Sequence, residues 1–472
     1  MSRLPADRPL RIALVNPPFR RPVMRRFVAS YFAPNFLLPP TDLLYVSAAL
    51  KQRLGSQTDV IDCIARGFDR DGGVAAVTAA EPDVVFAQLG FATLESDLAF
   101  CDAVGRSTGV PVVAMGYLPT MFGREVLAAS QLDAVVGGEP EIALGRLLEA
   151  WRDGESPSDI PGITARQDGR IVAGPPPERI TDLDALPFPD HDAVDLNLYR
   201  ETLLGSPIAA IFTARGCPYP CTFCVRTFGR MLVMRSAASV LAEAERVVTD
   251  LGIRKLRFMD DTFNINESRT VEICEGLQRL GPLEWTALAR LDRITPASVE
   301  HMARAGCRRL YVGVESGSDR MLREYKKGTD LATMRRAIGR IHQAGMEASG
   351  FFIVGGPSET RADFEASVAF AKETKLDYVI VTRLQYWPGT ELFERVRDQL
   401  EVSVVPFRCQ PKDAAAYERH LRLERSFYRR FYFRPRTIWR QLRRYATRPG
   451  ELLRGAIELG RYLLSSNKED FI

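Results

Sequence analysis

Short apolar runs alternate with stretches of helical spacing along most of this chain, and that alternation constrains its fold more than any other feature. Between residues 10 and 150 the runs are 12–16, 60–63, 84–88, 112–115 and 134–136. The segment 42–54 sets Leu43, Val46, Ala49 and Leu50 on one face with Asp42 as a capping residue, which predicts a helix. Repetition at this pitch predicts an α/β domain with an open parallel sheet. Ligands of such sheets sit beyond the carboxyl ends of the strands. Those ends carry Asn16-Pro17-Pro18, Gln88-Leu89-Gly90, Gly116-Tyr117-Leu118-Pro119-Thr120 and Gly137-Gly138-Glu139-Pro140-Glu141. Any one of them alone reads as a plain turn.

The pattern breaks at residues 155–204, where prolines are too dense for a continuous helix or a central strand. A small strand excursion and an extended linker are expected there. Strand-like runs then resume at 209–213, 256–261, 285–288, 309–314, 349–354 and 378–384, with a helix expected over 234–251. This second series predicts a partial barrel of βα units over 205–400, whose polar strand-end residues converge on one mouth. The expected organisation is a first domain over 1–154, the linker, the partial barrel, and a basic helical region over 401–472.

At the end of the first strand of the second series stands Cys217-Pro-Tyr-Pro-Cys221-Thr-Phe-Cys224. Thiolates are soft ligands that suit iron–sulfur clusters, zinc or copper. Three of them can hold three irons of a [4Fe–4S] cube and leave the fourth iron open for chemistry, whereas a four-cysteine cluster only carries electrons. Two other readings stand beside this one: structural zinc with a distant fourth ligand, although these spacings differ from paired C-x2-C hooks, and three buried free thiols. Cys63, Cys101, Cys274, Cys307 and Cys409 are scattered in apolar contexts and read as small buried hydrophobes.

The cysteine spacing, flanked by Thr213-Ala214-Arg215-Gly216 and Val225, resembles that of radical S-adenosylmethionine (SAM) enzymes. The segments Asp260-Asp261-Thr262-Phe263, Glu315-Ser316-Gly317 and Gly355-Gly356-Pro357-Ser358-Glu359-Thr360 follow in the order of that superfamily. The resemblance implies a SAM chelated at the open iron and cleaved by one electron to a 5′-deoxyadenosyl radical. It also implies SAM contacts from Phe223, Asp260, Asp261, Arg290, Glu315, Ser316, Gly355, Gly356 and Glu359, with Asp260 favoured for the amino group. Read structurally, Asp261 or Asn264 caps the next helix.

The Asn-Pro-Pro start, the Gly-x-x-Pro-Thr loop and the Gly-Gly-x-x-Glu segment resemble the cobalamin-binding domain attached to one radical SAM subclass. The first domain is then Rossmann-like, with cobalamin contacts from Asn16, Pro17, Gln88, Leu89, Gly116, Tyr117, Leu118, Pro119, Thr120, Gly137, Gly138 and Glu139. Leu118 stands where family members usually carry histidine, and His191 is the one histidine near this domain, so histidine ligation of cobalt is not expected. The function implied is a cobalamin-dependent methyltransferase acting on an unactivated carbon of a small-molecule or peptide natural product. A cyclase or ring-rearranging radical enzyme of the same architecture, and an iron–sulfur electron-transfer protein, are the alternatives. A low-potential donor such as flavodoxin or ferredoxin would supply electrons.

Between Arg425 and Arg448 there are nine arginines and no acid, interleaved with Phe427, Tyr428, Phe431, Tyr432, Phe433, Trp439 and Tyr445. Such a stripe suits an anionic membrane surface or amphipathic helices, broken at Pro435, that pack on the barrel and close the substrate cavity. No nucleic-acid module accompanies the charge, and no nucleic-acid partner is expected. A net charge of +4 and 46% hydrophobic residues are ordinary for a globular chain. No apolar run reaches the length of a membrane span, and the start is too short for a signal-peptide core. A cytoplasmic setting is expected, since an exposed cluster needs reducing conditions.

Overall fold

The structure, a computed structural model, describes residues 4–25, 30–32, 36–226 and 228–444, with positions 450, 453, 456, 457 and 460 beyond them. Tyr445 and Arg448 of the basic stretch lie outside the described residues. The chain divides into two compact units, one built mainly from Met1–Ala209 and the other from Ala210–Val225, Gly229–Glu401 and the helices after Cys409.

The first unit is an open sheet. Its strands are β1 (Arg11–Asn16), β2 (Gln57–Asp62), β3 (Val84–Gln88), β4 (Val112–Met115), β5 (Ala134–Val136), β6 (Ile163–Gln167) and β7 (Arg170–Ala173). They lie in the order β2-β1-β3-β4-β5-β6-β7. The first five pair in parallel, and β6 and β7 add an antiparallel edge. β3 and β4 are buried throughout, as expected of parallel strands covered on both faces. The strand order reverses direction between β1 and β3, which places a switch-point crevice beside Asn16 and Gln88. The helix Thr41–Leu54 begins one residue before Asp42. Asp42 therefore sits in the first turn rather than at the cap, and its carboxylate accepts from Gln88 Nε2 at 3.2 Å.

The second unit is the partial barrel: β8 (Ala209–Ile211), β9 (Lys255–Phe258), β10 (Glu284–Ala289), β11 (Cys307–Glu315), β12 (Glu347–Val354) and β13 (Tyr378–Arg383), in sequential order. From β9 to β13 every pairing is parallel. Between β8 and β9 the helix is Ala237–Thr249, shorter than the spacing suggests. Val233–Met234 pairs instead with Ala214–Arg215, and Ser236 caps the helix by accepting from Ser239 N. Trp285, Phe258 and Phe263 meet at 4.8–5.2 Å in the core, with Trp285 Nε1 satisfied by Ala305 O at 2.8 Å.

Residues 401–413, expected to be helical, are not. Leu400–Ser403 and Arg408–Pro411 form a two-stranded hairpin, and the basic helices are Ala414–Tyr432 and Pro435–Arg444. The first of these helices closes the sheet at β13. An edge strand presents unpaired N–H and C=O groups that need covering. Here two tyrosines one helical turn apart do the covering. Tyr428 Oη accepts from Val381 N at 3.0 Å and donates to Val381 O at 3.1 Å. Tyr432 Oη treats Val379 in the same way, at 3.1 Å each. A helical step of four residues thus matches a strand step of two. Phe427 and Phe431, each one residue before a tyrosine, are buried, and Arg430 forms a two-pronged pair with Glu365 at 3.0 and 2.6 Å. This part of the stripe packs on the barrel. Replacing both tyrosines by phenylalanine removes four hydrogen bonds to the edge, so Y428F/Y432F is expected to lower stability by about 2–6 kcal/mol, at about 0.5–1.5 kcal/mol per bond. Urea denaturation followed by far-UV circular dichroism measures it.

Candidate active site

The three cysteines lie on a loop that follows β8 and the two-residue strand Ala214–Arg215. Gly216 opens it with φ +89°, and a Cβ there would lie 2.1 Å from Met231 O, so only glycine fits. Cys217 N donates to Gly229 O at 3.2 Å, Thr222 N to Tyr325 O at 3.0 Å, and Leu392 N to Thr222 O at 2.9 Å. Phe223 packs edge-on against Tyr325, with ring centroids 5.2 Å apart. The loop is therefore pinned on both sides by segments that follow β11 and β13.

Cys221 is buried, and Cys217 and Cys224 are half-buried. Burial, Asp261 and the neighbouring cysteines push the Cys217 and Cys224 thiols up. A coordinating metal reverses that preference, because a bound thiol is deprotonated outright. Among the described residues no three Cys, His, Asp or Glu side chains converge on a point as ligands of a single ion do. Three thiolates that each take a separate iron have no need to converge.

Asp260 stands two residues beyond β9. It is fully buried and accepts from Thr213 N at 2.6 Å, from Ala214 N at 3.1 Å and from Thr213 Oγ1. Burial pushes its carboxyl up, while these hydrogen bonds and Arg269 pull the other way. Asp260 is thus a clamp on the strand that enters the cysteine loop. Asp261, the next residue, is the acid whose charge bears on Cys217 and Cys224. Neither Asp261 nor Asn264 caps the following helix; Asn266 does, accepting from Arg269 N at 3.0 Å. Asn264 instead grips the backbone of Arg290, with Arg290 N to Oδ1 at 2.9 Å and Nδ2 to Arg290 O at 3.0 Å.

The Arg290 guanidinium binds Asp292 through Nε at 2.9 Å and Nη2 at 3.2 Å, donates to Lys327 O at 2.7 Å, and lies 3.5 Å from the centre of the Tyr219 ring. Glu315 ends β11 at φ +65°, where the register of its pairing shifts. Its carboxylate pairs with Lys327 Nζ at 2.7 Å. Burial alone would lower the Lys327 ammonium, but Glu315 and Cys221 hold it above the ordinary range. Sequence reasoning missed Lys327. As one of two adjacent lysines it looks like a solvated turn residue, and only the fold brings it to the cysteines. Ser316 is buried, its hydroxyl shared with Ser367 Oγ at 3.2 Å and Ser318 N at 3.2 Å.

The diglycine after β12 is explained by protein neighbours. A Cβ on Gly355 would stand 2.5 Å from His420 Cγ, and one on Gly356 would stand 2.5 Å from Tyr325 Oη. The bare faces expected to admit a ligand are covered by these two side chains. Glu359 closes the turn by accepting from Gly355 N at 2.5 Å.

In the first unit the switch-point residues form a buried network. Asn16 donates to Asp62 at 2.8 Å and accepts from Arg25 at 3.0 Å. Arg25 also donates to Pro17 O at 2.6 Å and pairs with Asp97 at 2.6 Å, both side chains fully buried. Gln88 Oε1 is buried without a hydrogen-bond partner among the described residues. Leu89 is buried, and its carbonyl lies 2.5 Å from where a Gly116 Cβ would stand. Tyr117, Leu118 and Pro119 are buried in the short helix Tyr117–Met121. Thr120 Oγ1 donates to Gly116 O at 2.8 Å and accepts from Gly138 N at 3.2 Å, and Gly137 N donates to Gly162 O at 2.7 Å. Glu139 holds the segment beyond β7, accepting from Arg179 at 2.7 Å and Ile180 N at 2.9 Å.

The sequence model of the radical SAM superfamily matches residues 211–371. The chain is a radical SAM enzyme. Its radical SAM domain thus runs from β8 to the helix that follows β12. Over 415 residues the chain is 27% identical to an uncharacterized methyltransferase of Pyrococcus horikoshii, spanning 85% of this chain and 89% of that protein. It is 25% identical to the anaerobic magnesium-protoporphyrin IX monomethyl ester cyclase of Cereibacter sphaeroides, over 77% of this chain and 61% of that one. The fold is shared with TsrM, a radical SAM methyltransferase from Kitasatospora setae whose structure holds cobalamin and a [4Fe–4S] cluster. That match has a TM-score of 0.67 at 20% identity and covers 83% of this chain and 75% of that one.

Burial raises the Glu359 carboxyl to about 7, helped by Asp363 and opposed by the Gly355 and Gly356 amides and Arg320. Folded Glu359 keeps its proton to higher pH than in the unfolded chain. The stabilisation is whole below the ordinary carboxyl range and is lost as pH climbs toward 7, by on the order of 3 kcal/mol. E359Q is expected to flatten that decline, read as melting temperature against pH from 5 to 8.

Proposed function

We propose that this chain is a cobalamin-dependent methyltransferase of the radical SAM superfamily that methylates an unactivated carbon of a small-molecule or peptide natural product. The observation that carries the reading is the three-cysteine loop pinned beside Lys327 and Arg290 inside the matched domain. The nearly full-length methyltransferase relative adds support. Cys217, Cys221 and Cys224 would hold three irons of a [4Fe–4S] cluster. When bound, the cluster supplies the electron that cleaves SAM and a corrinoid supplies the methyl group, while the protein contributes orientation.

Lys327 is the compact charge suited to SAM's carboxylate, and Arg290 reinforces it from above Tyr219. Asp261 suits the amino group, since the oxygens of Asp260 are taken by Thr213 and Ala214. Glu315 holds Lys327 in place. For the corrinoid, the unpaired Gln88 Oε1 at the switch point and the small-residue turns Gly116–Thr120 and Gly137–Gly138 are the elements that fit. No histidine stands among them to serve as an axial ligand. A reductant and an acceptor substrate are required, with flavodoxin or ferredoxin as the class of donor.

A second reading, a radical cyclase or rearranging enzyme, is favoured by Leu118 in place of histidine and by the cyclase relative. One measurement separates these readings and a second tests the cluster they share. Anaerobic gel filtration after incubation with cobalamin is expected to leave the corrin spectrum on the protein; its loss favours the second reading. With methyl-labelled SAM and reductant, wild type is expected to form 5′-deoxyadenosine and C221A none; a fully active C221A overturns the cluster assignment. K327M is expected to weaken SAM binding about ten- to a hundredfold in equilibrium dialysis, since a hydrogen bond to a charged group is worth about 1.5–3 kcal/mol.

A further inference from the structure

The second tail helix, Pro435–Arg444, has an apolar face that is without a partner among the described residues. Ile438, Trp439 and Leu442 are 44%, 64% and 48% exposed, and Phe433 just before the helix is 62% exposed. Large side chains grouped this way on a soluble surface mark an interaction site. The opposite side is accounted for. Thr437 is buried, and Arg440 donates to the carbonyls of Lys375, Leu376 and Asp377 at 2.7–3.2 Å and pairs with the Asp377 carboxylate at 3.4 Å. The helix is therefore docked on the barrel by one side and presents the other.

Charge identifies what fits that face. From Arg434 to Arg448 the chain carries six arginines and no acid. A second copy laid against the same face would bring two such stretches together and repel. The chain that follows does not supply the cover at its described positions, because Leu453 and Ile457, four residues apart, are themselves 61% and 43% exposed. Exposed tryptophan and aliphatic side chains set among arginines match the interface of an anionic bilayer. Apolar groups enter its acyl boundary and each nearby cation is attracted by the negative headgroups. We propose that this helix lays the enzyme on an anionic lipid surface, with Ile438, Trp439 and Leu442 inserted and the arginines other than Arg440 at headgroup level. Such a surface would bring a lipid-soluble acceptor to the enzyme without any span crossing the bilayer. Among the described residues no helix is long and apolar enough to cross one.

The full-length protein is sedimented with vesicles of pure phosphatidylcholine and of phosphatidylcholine with phosphatidylglycerol. The expected result is at least about tenfold more protein on the anionic vesicles, release at high salt as surface charge is screened, and a comparable loss in W439S/L442S. These two side chains are solvent-exposed and outside the SAM site, so 5′-deoxyadenosine formation is expected to be unchanged in that variant. Binding that ignores the anionic lipid, or that W439S/L442S leaves intact, overturns the proposal. So does a dimer in gel filtration that the double substitution dissolves, which would assign the face to a second copy. No binding to either vesicle overturns it as well.

Discussion

The carboxylate of Asp260 is the interaction on which the active end of the barrel depends. It takes hydrogen bonds from Thr213 N, Thr213 Oγ1 and Ala214 N, three donors at the point where the chain leaves the first barrel strand for the cysteine loop. Arg269 completes the clamp from the other side, donating to Thr213 O at 2.6 Å and to Thr213 Oγ1 at 3.2 Å. A buried carboxylate is tolerated only when its oxygens are satisfied this fully. Because the acid lies two residues beyond the second barrel strand, the position of the loop is tied to the sheet itself. The thiols inherit the rigidity of the barrel rather than the mobility of a surface loop.

Around that clamp the charges are arranged in layers. Lys327 and Arg290 stand near the cysteines, and each is held by an acid of its own, Glu315 and Asp292. The pairing keeps two cations in a buried setting where either alone would be costly. It also fixes them: Asn264 grips the backbone of Arg290, and Arg290 in turn grips Lys327 O. One chain of hydrogen bonds therefore joins the ends of three successive strands, which is how a site assembled from distant segments keeps a single geometry.

Much of this architecture was legible in the sequence, and the reason is periodicity. Buried parallel strands need uninterrupted apolar runs, so β3, β4 and β5 occupy the residues those runs mark. The loop at Gly216 was legible because its backbone leaves no room for another residue type. Side-chain destinations were not. Asp260 and Asp261 are adjacent and chemically alike, and only the direction in which each emerges from its strand separates the clamp from the acid near the thiols. Lys327 lies more than a hundred residues beyond the cysteines, and no local pattern announces its arrival. The paired glycines were ambiguous for a related reason. A missing Cβ announces a close approach without saying by what, and here the approaching groups are His420 and Tyr325. The aromatic tail was ambiguous because one composition serves two purposes. Tyr428 and Tyr432 stitch a strand edge, while Trp439 faces outward.

The ion pair between Arg25 and Asp97 carries a consequence for how this sequence can drift. Both side chains are withdrawn entirely from water, and Arg25 also holds Asn16 and Pro17 at the end of the first strand. Removing one partner strands a buried charge at a cost of about 3–5 kcal/mol, whereas exchanging both for well-packed apolar residues is often nearly neutral. Single-step replacement at either position is therefore strongly disfavoured, and the two positions, 72 residues apart, are expected to change together. Among relatives of this chain they would appear as a covarying pair, inherited as one character although it is written in two places.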